Sequence, residues 1–244
     1  MTKEPVSIEP LGDRAILLRF GQKPDQDCFE RIRCFERALE RTGIPGFIES
    51  APAYTTLAVY FDPERVKGFQ MEQSLLNVLQ NVESLSDAYL IGNDPTNFRE
   101  TAVEVPVCYD TEFGPDLDFV AHTHGMTCRE VVAIHSSEVY FVHMIGFLPG
   151  FPYLGGLSDR IATPRKESPR LLVAAGSVGI AGNQTGVYPI ASPGGWQIIG
   201  RSPMQLFDKT KNPPCKIRAG DGIRFVEVNR IEFETLCYER TDSR

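Results

Sequence analysis

Glycine and proline crowd residues 139–228 so closely that helix signals fade and only short β-branched runs between turns remain. A segment of that kind folds as strands with frequent reversals, a barrel or a sandwich. Its densest part is "GFLPGFPYLGGL", Gly146 to Leu157, with four glycines and two prolines among phenylalanine, tyrosine and leucine. Glycine supplies positive φ and proline holds φ at about −65°, so the stretch reads as a shaped loop. Such a loop serves either as one wall of a groove or as a seam with a neighbouring protein.

The first third has a different rhythm. "SIEPLGDRAILLRFG" alternates into the apolar run Ala15 to Phe20 and stops at Gly21, a strand with one buried face. Residues 25–41 carry Phe29, Ile32, Phe35 and Leu39 at helical spacing and end at Thr42-Gly43. Two strands follow, Phe47 to Ala51 and Thr55 to Phe61, then a helix through Met71, Leu75, Leu76, Val78, Leu79 and Val82. With a further strand near "AYLIG", the order is that of a split βαβ unit, ferredoxin-like, over residues 1–92. "GNDPTNFR", Gly92 to Arg99, has linker chemistry. Residues 100–244 form the second domain: the strand "TAVEVPVCYD", two short helices opened by Asp116 or Pro115 and by Thr127 with Glu130, the turn-rich β region, and a frayed tail "ERTDSR". The fold class is therefore α+β.

A chain of 244 residues has room for two domains, and its hydrophobic share of 42% against 23% charged suffices for a core. A net charge of −7 argues against a nucleic-acid backbone or an anionic membrane as the main partner. The N-terminal residues lack the basic and apolar regions of a signal peptide. Val139 to Leu148, interrupted by His143 and Gly146, falls short of the roughly 20 apolar residues of a membrane span. Six cysteines without a C-x-x-C pair read as reduced thiols, and a cytoplasmic protein is expected.

Three glycine-bearing segments, "GFLPGFPYLGG", "AAGSVGIAGNQTGVYP" and "ASPGGWQIIGR", match neither a dinucleotide nor a P-loop fingerprint, and no G-x-S-x-G elbow occurs. In "TPRKESPR", Arg165 and Arg170 each follow a proline, which suits rigid presentation of guanidinium forks to a carboxylate or phosphate; a solvated basic turn is the alternative. Gln184, Thr185 and Tyr188 follow Gly182 and offer an amide, a hydroxyl and a phenol suited to a planar amide or lactam. Trp196, the one tryptophan, follows Gly194 and Gly195 and precedes Arg201; it is either core or a ligand platform. His122, His124 and Cys128 lack convincing metal-ligand spacing, so no metal is expected. His135 and His143 stand singly in apolar stretches, where a packed histidine is the commoner role.

The three segments, together with "TPRKESPR", "GDRAILLRFG" and "VPVCYDTEFGPDLDFVA", resemble the 5-oxoprolinase B-subunit family, which includes KipI and the allophanate hydrolase subunit 1 proteins, from about Ser7 to Val228. The resemblance implies a ferredoxin-like N-terminal domain and a cyclophilin-like β-barrel. It also implies work with C-subunit and A-subunit homologues to open 5-oxoproline to L-glutamate with ATP, alone or with Mg2+, the chain being inactive by itself. On that footing Arg165, Arg170 and Arg201 contact an anion or phosphate, Gln184, Thr185 and Tyr188 orient the amide, and Gly146, Gly150, Gly182, Gly194 and Gly195 shape the loops. Tyr153 and Trp196 line the same pocket. His135 fits the family pattern and is a catalytic candidate, whereas His143 departs from it. The KipI branch implies instead an inhibitor bound to a sensor histidine kinase, and an older label implies allophanate or urea chemistry.

Overall fold

A computed structural model describes residues 4–84, 99 and 101–242 and divides the chain into two compact units, Met1–Thr96 and Asn97–Arg244. In the first, the stretch read as one strand is a hairpin of β1 (Ser7–Pro10) and β2 (Ala15–Arg19), because Gly12 takes φ +72° between them. Asp25 accepts a hydrogen bond from the Cys28 N–H at 2.9 Å and opens α1 (Gln26–Thr42), which ends where Gly43 turns left-handed. Cys28 takes the first core position, leaving Phe29 half-buried.

Three further elements, β3 (Phe47–Ala53), β4 (Thr56–Phe61) and α2 (Gly68–Ser84), complete the described part of this unit. The sheet runs β1-β2-β4-β3, antiparallel throughout, so β4 lies between the two strands that α1 connects. Leu18, Leu57 and Val59 bury against Ile32, Phe35 and Leu39 of α1 and Met71, Leu75 and Val78 of α2. The strand expected near "AYLIG" lies outside the described residues, as does the linker apart from Arg99.

The second unit is a mixed α/β body around a nearly closed, barrel-like sheet. Its strands are β5 (Val103–Val107), β6 (Val139–Ile145), β7 (Pro152–Gly155), β9 (Ser177–Ala181), β10 (Gln184–Val187), β12 (Gln197–Arg201) and β13 (Gly222–Glu227). They lie in the order β12-β9-β10-β7-β6-β13-β5, with β5 and β13 parallel. Cys108 and Arg201 exchange two backbone hydrogen bonds of 2.9 Å, which link the first and last strands. Outside the seven, β8 (Arg170–Val173) and β11 (Ser192–Gly194) pair as a two-stranded ribbon.

Val105, Val142, Leu154, Ile180, Val187 and Phe225 fill the interior, joined by Val120 of α3 (Leu117–Thr123) and Val131 of α4 (Cys128–Ser137). Thr127 and Glu130 form the expected capping box on α4. Asp116, expected as a cap on α3, makes no side-chain cap bond there.

Helix α5 (Arg230–Asp242) takes in the first four residues of the tail expected to fray, and Ser243 and Arg244 lie outside the described residues. Asn229 begins the helix: its Oδ1 accepts from the Glu232 N–H at 3.0 Å while the Glu232 carboxylate accepts from the Asn229 N–H at 2.8 Å. Asn229→Ala removes one half of this reciprocal cap and is expected to cost about 1 kcal/mol of local stability. Hydrogen exchange of the first-turn amides of α5 should quicken accordingly; unchanged protection would show that the cap does not hold the helix.

Candidate functional site

Asp116, whose place in the sequence suggests only a capping role, is the centre of the polar part of the site. It is 4% exposed. Its N–H donates to the Ile198 carbonyl at 2.9 Å and its Oδ2 accepts from the Ile198 N–H at 2.6 Å, which seats the start of α3 on β12. Oδ1 takes Arg170 Nη2 at 2.7 Å and Lys166 Nζ at 3.1 Å. Burial pushes this carboxyl up, but hydrogen bonds from Arg170, the Ile198 N–H and Lys166 together hold it below the ordinary carboxylate range. Arg170 thus already holds a carboxylate of its own chain, and its Nη1 is buried without a hydrogen-bond partner. Gln197 donates from Nε2 to the Pro164 carbonyl at 2.9 Å, leaving its Oε1 buried and unpaired.

Beside this cluster the aromatic residues of the glycine-rich segments meet. Phe151 packs edge-on against Trp196 (ring centres 5.3 Å apart) and against Tyr188 (5.2 Å), and Tyr153 lies 6.0 Å from Trp196. Trp196, at 5% exposure, is a core residue, and the Arg165 guanidinium lies 6.0 Å from its ring centre. Glycine makes the packing possible: a Cβ on Gly186 would stand 3.1 Å from atoms of both Phe151 and Trp196, and one on Gly194 would overlap the Tyr188 phenol. Tyr153 and Tyr188 are both pushed up by burial, and the Arg165 charge acts against that shift. Phe147 closes the loop in an unusual way. It takes φ +67° inside a three-residue turn closed by the Leu148 N–H on the Gly146 carbonyl (2.8 Å), and its ring is largely exposed.

Side chains alternate along β10, so Gln184 shares the face of Gly186 and Trp196 while Thr185 points the other way. Gly182 turns left-handed between β9 and β10 and donates its N–H to the Thr163 carbonyl at 2.7 Å. Gly195 accepts at its carbonyl from the Lys166 N–H at 2.7 Å, tying "TPRKESPR" to the Trp196 loop; Gly150 packs against Phe207.

Three assigned residues lie elsewhere. Thr185 is fully buried and donates to the Gly179 carbonyl at 3.0 Å, so it accepts from His135 Nε2 at 2.9 Å. His135 Nδ1 then accepts from the Tyr109 hydroxyl at 2.8 Å, and the ring stacks on Phe225 at 4.5 Å. Both ring nitrogens of His135 are thus occupied by side chains of the barrel interior, and burial pushes its pKa down to about 3. Arg201 bonds the Ala175 carbonyl at 3.0 Å and lies over Phe113 rather than over the tryptophan. Of the other residues weighed from the sequence, His124 bonds Thr163 (3.1 Å), Cys128 bonds Asp118 (2.8 Å), and the His143 ring rests on Gly155, where a Cβ would collide with it.

The pattern described as "Carboxyltransferase domain, subdomain C and D" matches residues 6–217. The B-subunit of 5-oxoprolinase from Bacillus subtilis (strain 168) is 44% identical over 95% of this chain and 97% of that protein. The chain belongs to the 5-oxoprolinase B-subunit family. A conserved uncharacterized protein from Pyrococcus horikoshii is 41% identical, covering 93% of this chain and all of that one, with a TM-score of 0.55. The urea amidolyase of K. lactis shares the fold at a TM-score of 0.76 and 20% identity; this chain spans 16% of its length. Among the described residues, no helix is long and apolar enough to cross a membrane.

Two outcomes follow. Asp116→Asn weakens the hold on both cations, which are partly exposed and can turn to water, so a loss of about 2 kcal/mol is expected in urea unfolding. A change under about 0.5 kcal/mol would remove Asp116 from its central place. For His135, the unfolded chain takes up a proton near its ordinary 6.5 that the folded chain refuses until about 3. Its share of stability is complete above the higher value and declines as pH falls through that window, by at most about 1.4 kcal/mol per pH unit. His135→Gln should flatten the unfolding free energy between those limits; an unchanged slope would contradict the buried neutral imidazole.

Proposed function

We propose that this chain is one component of an ATP-dependent 5-oxoprolinase complex that opens 5-oxoproline to L-glutamate together with C-subunit and A-subunit homologues. Family membership supports the reading, and one observation carries it to residues: Lys166 and Arg170 share a single carboxylate, Asp116, while Arg165 from the same segment lies over Trp196 of the aromatic wall. Such a face has a cation to spare for the carboxylate of the lactam or for a transferring phosphoryl group. Arg165 is that cation, since it is exposed and rests on Trp196 while Lys166 and Arg170 hold Asp116. Arg170, fixed by Asp116, offers its unpaired Nη1; in this reading Gln184 orients the amide, with the buried Tyr188 behind it. Tyr153, Gly150, Gly182 and Gly195 shape the wall.

A five-membered lactam resists direct hydrolysis. Phosphorylation of its amide oxygen at the expense of ATP makes the ring carbon electrophilic: water adds there, the ring C–N bond breaks with the nitrogen leaving as the amine, and a second water hydrolyses the resulting acyl phosphate to L-glutamate and phosphate, while the spare cation steadies the charge that develops. In this reading the first unit is a ferredoxin-like domain, the second a cyclophilin-like barrel, and the complex works in the cytoplasm. Fusion into longer chains, as in the urea amidolyase relative, supports a role that needs neighbouring domains.

Co-expression with A-subunit and C-subunit homologues, followed by assay of 5-oxoproline-dependent ATP hydrolysis, tests this. All three proteins together should turn over, this one by itself should not, and Arg165→Ala should lower kcat/KM by about tenfold or more without unfolding the chain. No turnover with every partner present, or full turnover by Arg165→Ala, would overturn it.

A further inference from the structure

A second polar feature shares no residue with the aromatic wall. Side chains drawn from between Pro203 and Asp221, with Pro106 of β5 and Leu236 of α5, line a cleft of about 950 Å3, in the range of small-molecule sites. Its lining includes Lys211, Lys216 and Arg218. All three are exposed, and among the described residues no carboxylate lies within ion-pair reach of their side chains.

The two carboxylates that also line the cleft are engaged with neighbouring turns. Asp208 accepts from the Thr210 N–H at 3.0 Å and from its hydroxyl at 2.6 Å, and Asp221 accepts from the Arg218 N–H at 2.7 Å. They shape the turns that carry the cations. Three unpaired cations at one cleft run against the chain's net charge of −7. Four prolines, Pro106, Pro203, Pro213 and Pro214, stiffen the walls, so little chain entropy is lost when a ligand is held. Among the described residues that line the cleft none is aromatic, so they offer no ring on which a nucleobase could stack.

We infer that this cleft binds the phosphate chain of a small polyanion through Lys211, Lys216 and Arg218, reading the phosphates and not an attached base. Lysine supplies point charges and arginine a planar fork, the usual pair of phosphate donors.

Isothermal titration of the full chain with tripolyphosphate, ATP and adenosine, at about 50 and about 200 mM salt, tests the inference independently of lactam turnover. Tripolyphosphate and ATP should bind with affinities within about threefold of each other and weaken at the higher salt, and adenosine should not bind. The triple variant K211A/K216A/R218A should lose about tenfold or more in affinity for both, with Arg218→Lys recovering part of it and thermal unfolding unchanged. Absence of tripolyphosphate binding at millimolar concentration, equal affinity in the triple variant, or ATP binding that adenosine displaces would each overturn the assignment.

Discussion

The second unit depends on one buried carboxylate. Asp116 ties the start of α3 to the backbone of β12 through two hydrogen bonds with Ile198, and it gathers Arg170 and Lys166 from a segment some fifty residues away in sequence. Because its charge lies in a site with little water, the ionised form persists only while those donors stay in place, so helix, strand and basic segment hold one another. Alignment of "TPRKESPR" beside Trp196 follows from that arrangement, reinforced where Lys166 donates to the Gly195 carbonyl.

The second constraint is steric. Trp196 lies close against the sheet because Gly179 and Gly186 present no side chains beneath it, and Phe151 and Tyr188 meet it edge-on. Glycine density here serves two ends: Gly179, Gly186 and Gly194 admit close approach of Trp196 and Tyr188, while Gly150, Gly156, Gly176 and Gly182 use positive φ.

Periodicity made much of the architecture legible. The apolar stripes of α1 and α2, the alternation of β2 and β4, and the Thr127–Glu130 cap all reported local rules that tertiary structure left intact. The hairpin at Gly12 and helix α5 escaped that reading because each turned on a single punctuating residue, Gly12 and Asn229, inside stretches with weak apolar rhythm. The site was legible as a set of segments but not as a geometry. Thr185 and Gln184 are neighbours in sequence, yet the strand sends one into the barrel with His135 and the other to the face of Trp196. Nothing local to "GPDLD" revealed that Asp116 would direct its carboxylate to residues of β8 and β12 instead of its own helix.

The central claim is that the wall around Trp196, with Arg165 above it, meets the lactam. Trp196 is the only tryptophan, so this chain labelled with 5-fluorotryptophan and assembled with unlabelled partner proteins gives a single fluorine resonance. Titration with 5-oxoproline should shift that signal saturably in the wild-type assembly and leave it in place when Arg165 is replaced by alanine. A resonance that ignores saturating 5-oxoproline in a turnover-competent assembly would contradict the account.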